Sequence, residues 1–379
     1  MLLNLDRDQE LFRETTAKLL DELVPVGELR RRRDDPDGFD DGYWRRGAEL
    51  GWTSLLVGEE NGGGSIGGKG LVDLALVAYE FGRHAAPGPL VVTNVVAATL
   101  SESGDGGHGS VISELLSGRS IASWCLGETE PNSPFDGVAM QIGVDGSDVV
   151  LNGIKRPVES GARADQLLVT GRTGDGMTQV LVPAGAAGVS VTPMHTIDMT
   201  RRFSVITFED VRIPSSAIVG DVGKADEQVR RQLQRAVAIV NAEAVGAMQS
   251  AFDITVEWAF DRYSFGRPLA SYQELKHRFS DMKTWLEASQ AISDAATDAV
   301  ASGSPDAEEL LAAAKAFIGD YGSELMQDCV QIHGGIGVTF EHDLHLYLRR
   351  HTVDRALFGT PAEHRQRLCD FVERHGEVA

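Results

Sequence analysis

Across 233–258 one apolar stripe recurs at helical spacing: Leu233, Ala236, Val237, Val240, Ala244, Ala247, Met248, Ala251, Ile254 and Trp258. Apolar residues every three or four positions put one face of a long helix against other protein. Such a helix cannot bury that face alone, so the chain must supply long partners. It does: 272–301 and 306–332 read as helix, followed by a shorter pair at 343–350 and 361–373. Long helices joined by short loops predict a four-helix bundle.

Upstream the period changes. From about residue 121 to 219 the apolar runs are short and separated by turn residues. The runs 138–142, 149–151, 166–169, 179–182 and 204–208 read as strands, with turns at 143–148, 152–153 and 171–177. Strands at this spacing predict a sandwich or barrel. The first third is helical again, over 6–24 (capped by Asp6, stopped by Pro25), 40–50, from 71, 91–100 and 110–116. Arg30, Arg31, Arg32 and Arg33 before Asp34 and Asp35 read as a solvated connector, as does the Gly-rich stretch 61–70. The expected architecture is α+β and multidomain: an N-terminal helical domain over 1–118, a central β-sandwich or barrel over 119–219, and a C-terminal four-helix bundle over 220–379.

Composition narrows the function. A net charge of −21 argues against nucleic-acid and anionic-membrane surfaces. Three widely spaced cysteines without CxxC spacing argue against a disulfide framework or a zinc site. The start, MLLNLDRDQELF, lacks an apolar core like that of a signal peptide, and no apolar run reaches ~18 residues. These features predict a cytoplasmic protein.

Two stretches carry chemistry. Arg262-Tyr263-Ser264-Phe265-Gly266-Arg267-Pro268, then Tyr272-Gln273, lies between two long helices. It reads as an inter-helix turn, or as an anion site in which Arg262, the Ser264 hydroxyl and the next helix's free N–H groups meet a pyrophosphate. Gln331-Ile332-His333-Gly334-Gly335-Ile336-Gly337 reads as a Gly-rich helix end, or as backbone open to a nucleotide. Gly63-Gly64-Ser65-Ile66-Gly67-Gly68-Lys69 mimics a P-loop, but Gly70 replaces the Ser or Thr that magnesium needs. His342, His345 and His351 lack HExxH order and read as a solvated helix, so no metal is expected.

Taken together, RYSFGRPLASYQ, QIHGGIG, ETEP and LFGT on this plan resemble the acyl-CoA dehydrogenase family. The resemblance implies FAD held at subunit interfaces of a tetramer, and removal of α and β hydrogens from an acyl-CoA thioester. It implies that Arg262, Ser264, Phe265, Tyr272, Gln273, Gln331, Gly334 and Gly335 reach a neighbour's FAD. Thr129, Leu357 and Thr360 would line the chain's own flavin site.

The departures are specific. Pro134-Phe135 stands where the family has Gly-Ser, Pro157 where it has a flavin-flanking aromatic, and Glu159 where it has a flavin-bonding hydroxyl. The family's base positions hold Phe358 and Ala236. Glu243 lies seven residues beyond Ala236, on the same helix face, and is the candidate base. A carboxylate inside an apolar stripe is either such a buried base or tied to an arginine of a neighbouring helix.

The leading expectation is an FAD-dependent acyl-CoA dehydrogenase subunit, acting on a bulky ester such as a steroid side-chain CoA thioester. It would pair with a paralogous subunit in an α2β2 tetramer, or else form a homotetramer, and pass electrons to an electron-transfer flavoprotein. The alternatives are a non-catalytic partner that completes a paralogue's FAD site, or an FAD enzyme acting on a nitroalkane or damaged base.

Overall fold

A computed structural model describes residues 5–104, 107–128, 137–174 and 176–376. The chain divides into two compact units: 1–30 with 71–86 and 237–379, and 31–70 with 87–236.

The second unit carries the sheets. One has three strands in the order β1 (Ala122–Cys125), β4 (Gln166–Thr173), β5 (Gly176–Pro183), with β1 parallel to β4. The other has four, in the order β2 (Ile142–Asp145), β3 (Asp148–Glu159), β7 (Phe203–Pro214), β6 (Val189–Met194), all antiparallel. Alternate residues from both sheets share one core, including Cys125, Val149, Leu151, Leu167, Val180, Ile206 and Phe208. This is the sandwich that the short strand runs predict. The expected strand at 138–142 is mostly absent. Val138, Met140 and Ile142 are buried and Ala139 and Gln141 exposed, as alternation requires. The Ala139 and Met140 amides, however, donate to the Glu128 carboxylate (3.1 and 3.0 Å) rather than to a neighbouring strand.

This unit also holds the short helices α3 (Asp41–Leu50), α5 (Leu90–Glu102) and α6 (Gly109–Leu116), of which α5 packs on β1, whereas α2 (Val26–Leu29) belongs to the first unit. α5 is mostly apolar and buried through Leu100, as such a helix must be, and its buried Asn94 amide donates to the Trp52 and Leu90 carbonyls (3.0 and 2.9 Å). In the 30–35 charge block Arg31, Arg33 and Asp34 are exposed, as expected, while its backbone is held in place. Arg202 donates to the carbonyls of Arg32 (2.7 Å), Arg33 (3.1 Å) and Asp35 (3.0 Å).

The first unit is helical. α1 (Arg7–Leu23) opens with a capping box of Asp6 and Gln9, and the Gln9 amide also donates to Asp73 of α4 (Gly70–His84). α7 (Asp226–Asp261) is the long helix of the apolar stripe. α8 (Gln273–Ala301), α10 (Leu344–Ala356) and α11 (Pro361–Gly376) each pack on α9 (Ala307–His333). A Cβ on Gly82 would overlap the Glu243 carbonyl, and one on Gly246 the Tyr79 carbonyl, so α4 and α7 cross in backbone contact. Among the described residues no helix is long and apolar enough to cross a membrane.

Candidate functional site

The RYSFGRP stretch folds as a hairpin of β8 (Tyr263–Ser264) and β9 (Arg267–Pro268). Its tip residues Phe265 and Gly266 have φ of +49° and +80°. Positive φ at both central positions is the type I′ geometry that fits the twist of paired strands. Phe265 holds it without being glycine, at a cost of roughly 1–3 kcal/mol, and is 98% exposed. The Tyr272 hydroxyl donates to the Ser264 carbonyl (2.7 Å), and the Arg267 guanidinium lies 3.8 Å from the Tyr272 ring centroid. α8 starts directly afterwards without a side-chain cap, which leaves its first N–H groups for a ligand or water. The exposed Gln273 amide meets His277 at 2.9 Å.

At the end of α9 the His333 Nδ1–H donates to the Cys329 carbonyl (2.8 Å). Its ring stacks on Trp258 (5.2 Å, 17°), with the His342 ring edge-on at 4.6 Å. Burial pushes His333 below the ordinary imidazole range, so the stack is uncharged at neutral pH. The Arg262 guanidinium lies 6.0 Å from the same Trp258 ring. Trp258 thus joins the end of α7 to the end of α9. Gly334 (φ +67°) and Gly335 follow, and a Cβ at either would meet nothing within 4 Å. Gln331 beside them is exposed.

The fold therefore gathers Arg262, Ser264, Tyr272, Gln273, Gln331, Gly334 and Gly335 at one outward-facing end of the helical unit. An exposed guanidinium fork, an uncapped helix start and an open diglycine fit the phosphates and ribose of a dinucleotide such as FAD.

The other candidates lie in different settings. Thr129 falls outside the described residues. Leu357 and Thr360 sit in the turn between α10 and α11, where the Thr360 amide and hydroxyl both donate to Glu363 (2.6 and 2.8 Å). Phe358 and Gly359 in that turn have φ of +57° and +107°. Glu243 is 2% exposed, and its carboxylate accepts a hydrogen bond from Arg350, which is fully buried. The helix expected to be solvated is not: His345 and His351 are buried, and burial pushes His351 down to about 4. Their ring faces pack inward because α10 lies against α9, which a charge-rich sequence does not reveal.

In the β-sandwich unit, charged groups are committed to one another. Buried Lys155 donates to Glu128 (2.6 Å) and to the Leu126 carbonyl (3.2 Å). Burial drives its ammonium below the ordinary lysine range, with Glu128 opposing. Glu159 is 5% exposed and lies 3.2 Å from Arg201, itself 4% exposed. The cavity beside them holds about 10 Å³, room for one water. Sequence reading did not find Arg350, Lys155 or Arg201. A charged residue flanked by others of its kind carries no signal that it will be buried.

Family models for the acyl-CoA dehydrogenase N-terminal and C-terminal domains match residues 6–106 and 227–372. The acyl-CoA dehydrogenase IpdE2 of Mycolicibacterium smegmatis is 30% identical over 368 residues, 96% of this chain and 98% of that protein. Butyryl-CoA dehydrogenase of Megasphaera elsdenii superposes with a TM-score of 0.89 at 22% identity, over 97% and 99% of the two chains. The steroid ACAD Tcur3481-Tcur3483 superposes with a TM-score of 0.87 at 25% identity, over 98% and 99%.

Proposed function

This chain belongs to the acyl-CoA dehydrogenase family of oxidoreductases acting on CH–CH bonds, and on that premise we propose that it is an FAD-dependent subunit that desaturates an acyl-CoA thioester between Cα and Cβ. The substrate we propose is a bulky ester of the steroid side-chain type, which the likeness to the steroid ACAD supports. The assembly is a tetramer with a paralogous subunit, and the electron acceptor is an electron-transfer flavoprotein. Bound FAD would supply the acceptor for the Cβ hydride.

The chain's own residues divide the remaining work. Arg262 and the first amides of α8 hold the diphosphate, Gln273 and Gln331 bond its polar edge, and Gly334 and Gly335 allow the backbone to approach. Ser264 and Tyr272 brace one another and keep the hairpin in shape. Leu357 and Thr360 stand on a turn whose conformation is already fixed, which favours positioning over induced fit. The thioester carbonyl needs preorganised N–H donors, because an α-proton leaves only if the enolate charge is met as it forms; with Phe358 and Ala236 at the family's base positions, the base that takes that proton would come from the paralogous subunit. The observation that carries the reading is the outward-facing cluster from Arg262 to Gly335, open to an adjoining protomer.

The pairing of Glu243 with Arg350 favours a second reading, in which the chain completes the FAD site of a paralogous dehydrogenase and does no turnover itself. Flavin spectra separate the two. Stoichiometric yellow flavin on the chain alone, bleached anaerobically by an acyl-CoA, supports the first. A colourless chain that acquires flavin only when co-expressed with a paralogue supports the second. A chain that stays colourless in both cases removes both.

A further inference from the structure

Arg350 ties three helices together. One arm of its guanidinium donates to Glu243 on α7, and the other donates to the carbonyls of Ala85 (3.3 Å) and Ala86 (3.0 Å). Those two residues close α4. The Ala86 amide donates to the Phe81 carbonyl and the Ala85 amide to that of Gly82, with Ala85 at φ +45°. This is a Schellman-type stop, in which glycine usually takes the left-handed position. Arg350 thus meets helix-end carbonyls that have no intrahelical donor. Close by, Gly82 and Gly246 let α4 and α7 touch backbone to backbone.

Such an arrangement needs its counter-charge. A fully buried guanidinium is tolerated only beside a carboxylate, and removing either member leaves a charge stranded in a low-dielectric interior. The same logic limits what Glu243 can do. Taking up a carbon-bound proton would neutralise the carboxylate that Arg350 binds and weaken the pairing that holds α10 to α7. A base must instead be free to change charge during turnover.

α10 runs from Arg350 straight into the 357–360 turn. The far side of that turn is held from α11, where His364 Nε2 lies 3.1 Å from the Phe358 carbonyl and Glu363 binds Thr360. We infer that Glu243 and Arg350 are positioning residues: the pair sets where α10 lies on α4 and α7, and so where the 357–360 turn stands, and Glu243 does not accept the substrate proton. The meaning given to the turn rests on the dehydrogenase reading above; the pairing itself does not.

The test compares Glu243→Gln with the double variant Glu243→Gln/Arg350→Met, made in the full chain with and without its co-expressed paralogue. Glu243→Gln removes the carboxylate that Arg350 binds and should lower Tm by roughly 10 °C. The uncharged double variant should regain at least half of that loss. Per bound flavin, the double variant should keep kcat within about tenfold while KM for acyl-CoA rises, because a displaced turn meets substrate rather than the proton. Glu243→Gln with unchanged Tm overturns the inference. So does a well-folded double variant whose kcat falls by about a thousandfold or more, the loss expected on removing a base. If no assembly shows dehydrogenase activity, the function reading fails while the Tm comparison still decides whether the two residues form a pair.

Discussion

The helix-end cluster around Arg262 and the ion pairs inside the β-sandwich are built from the same kinds of side chain, used in opposite ways. At the helix ends, Arg262, Gln273, Gln331 and the open diglycine face outward and make few demands on one another. In the sandwich, Lys155 is spent on Glu128 and Arg201 on Glu159, and little space remains beside the latter pair. A polar group serves a ligand only when its bonding capacity is not already consumed internally. The difference teaches where this chain leaves polar groups facing solvent and where it pairs them in its interior.

The largest effect should come from the sandwich. Arg201→Met leaves the Glu159 carboxylate buried beside an apolar side chain, which costs about 3–5 kcal/mol. Thermal unfolding should show a clear loss of Tm, while the flavin content of the co-expressed assembly stays the same. A variant that keeps its Tm but loses flavin would reverse the comparison. Next in size is Arg262→Ala. Its side chain is exposed, so Tm should barely move. Loss of a charge-assisted bond worth about 1.5–3 kcal/mol should weaken flavin retention by ten- to a hundredfold, read by equilibrium dialysis.

A third prediction uses buried groups that are neutral rather than paired. Burial pushes His351 down to about 4 and His364 down to about 3. Each takes up a proton more readily when unfolded, so its contribution to stability is complete above pH ~6.5 and is lost as pH falls below that value. The slope is about 1.4 kcal/mol per pH unit for each group. His351→Asn should flatten the fall in stability between pH 6.5 and 5, measured by denaturant titration at each pH. The smallest effect is that of Gly335→Ala. Nothing lies within 4 Å of the added methyl, so stability should stay within about 0.5 kcal/mol. Only dinucleotide binding should weaken, by a few-fold in the same dialysis.

Much of the fold is legible in the residue pattern. The stripe from Leu233 to Trp258 lies in a single helix, and the short central runs pair into two sheets around one core. The reading slips at 138–142, where a side chain has replaced a backbone partner, and at the turns expected over 143–148 and 152–153, most of whose residues lie in β2 and β3. Val138, Met140 and Ile142 alternate as a strand should, yet Glu128 takes the Ala139 and Met140 amides, leaving only a single bridge from Gln141 to Arg172. The helix-end cluster is legible too, because its glycines and its Arg and Gln residues sit at helix boundaries that local chemistry marks. The role of Glu243 is not. Its place in an apolar stripe announces burial, and an arginine partner on a neighbouring helix is one of the two readings it allows, but which arginine is not legible because it lies 107 positions away.

Alone, the order of residues determined the long helices and the presence of a strand-rich middle, because those depend on neighbours a few positions apart; the bounds of the strands at 138–153 it did not determine. Only the tertiary structure decided which charges would face each other, since ion pairing in a low-dielectric interior depends on distance in space, and no local pattern encodes that distance. The shape of the helical ends was therefore written in short motifs, whereas the fates of Glu243, Glu159 and Lys155 were settled by the residues that the folded chain brought against them.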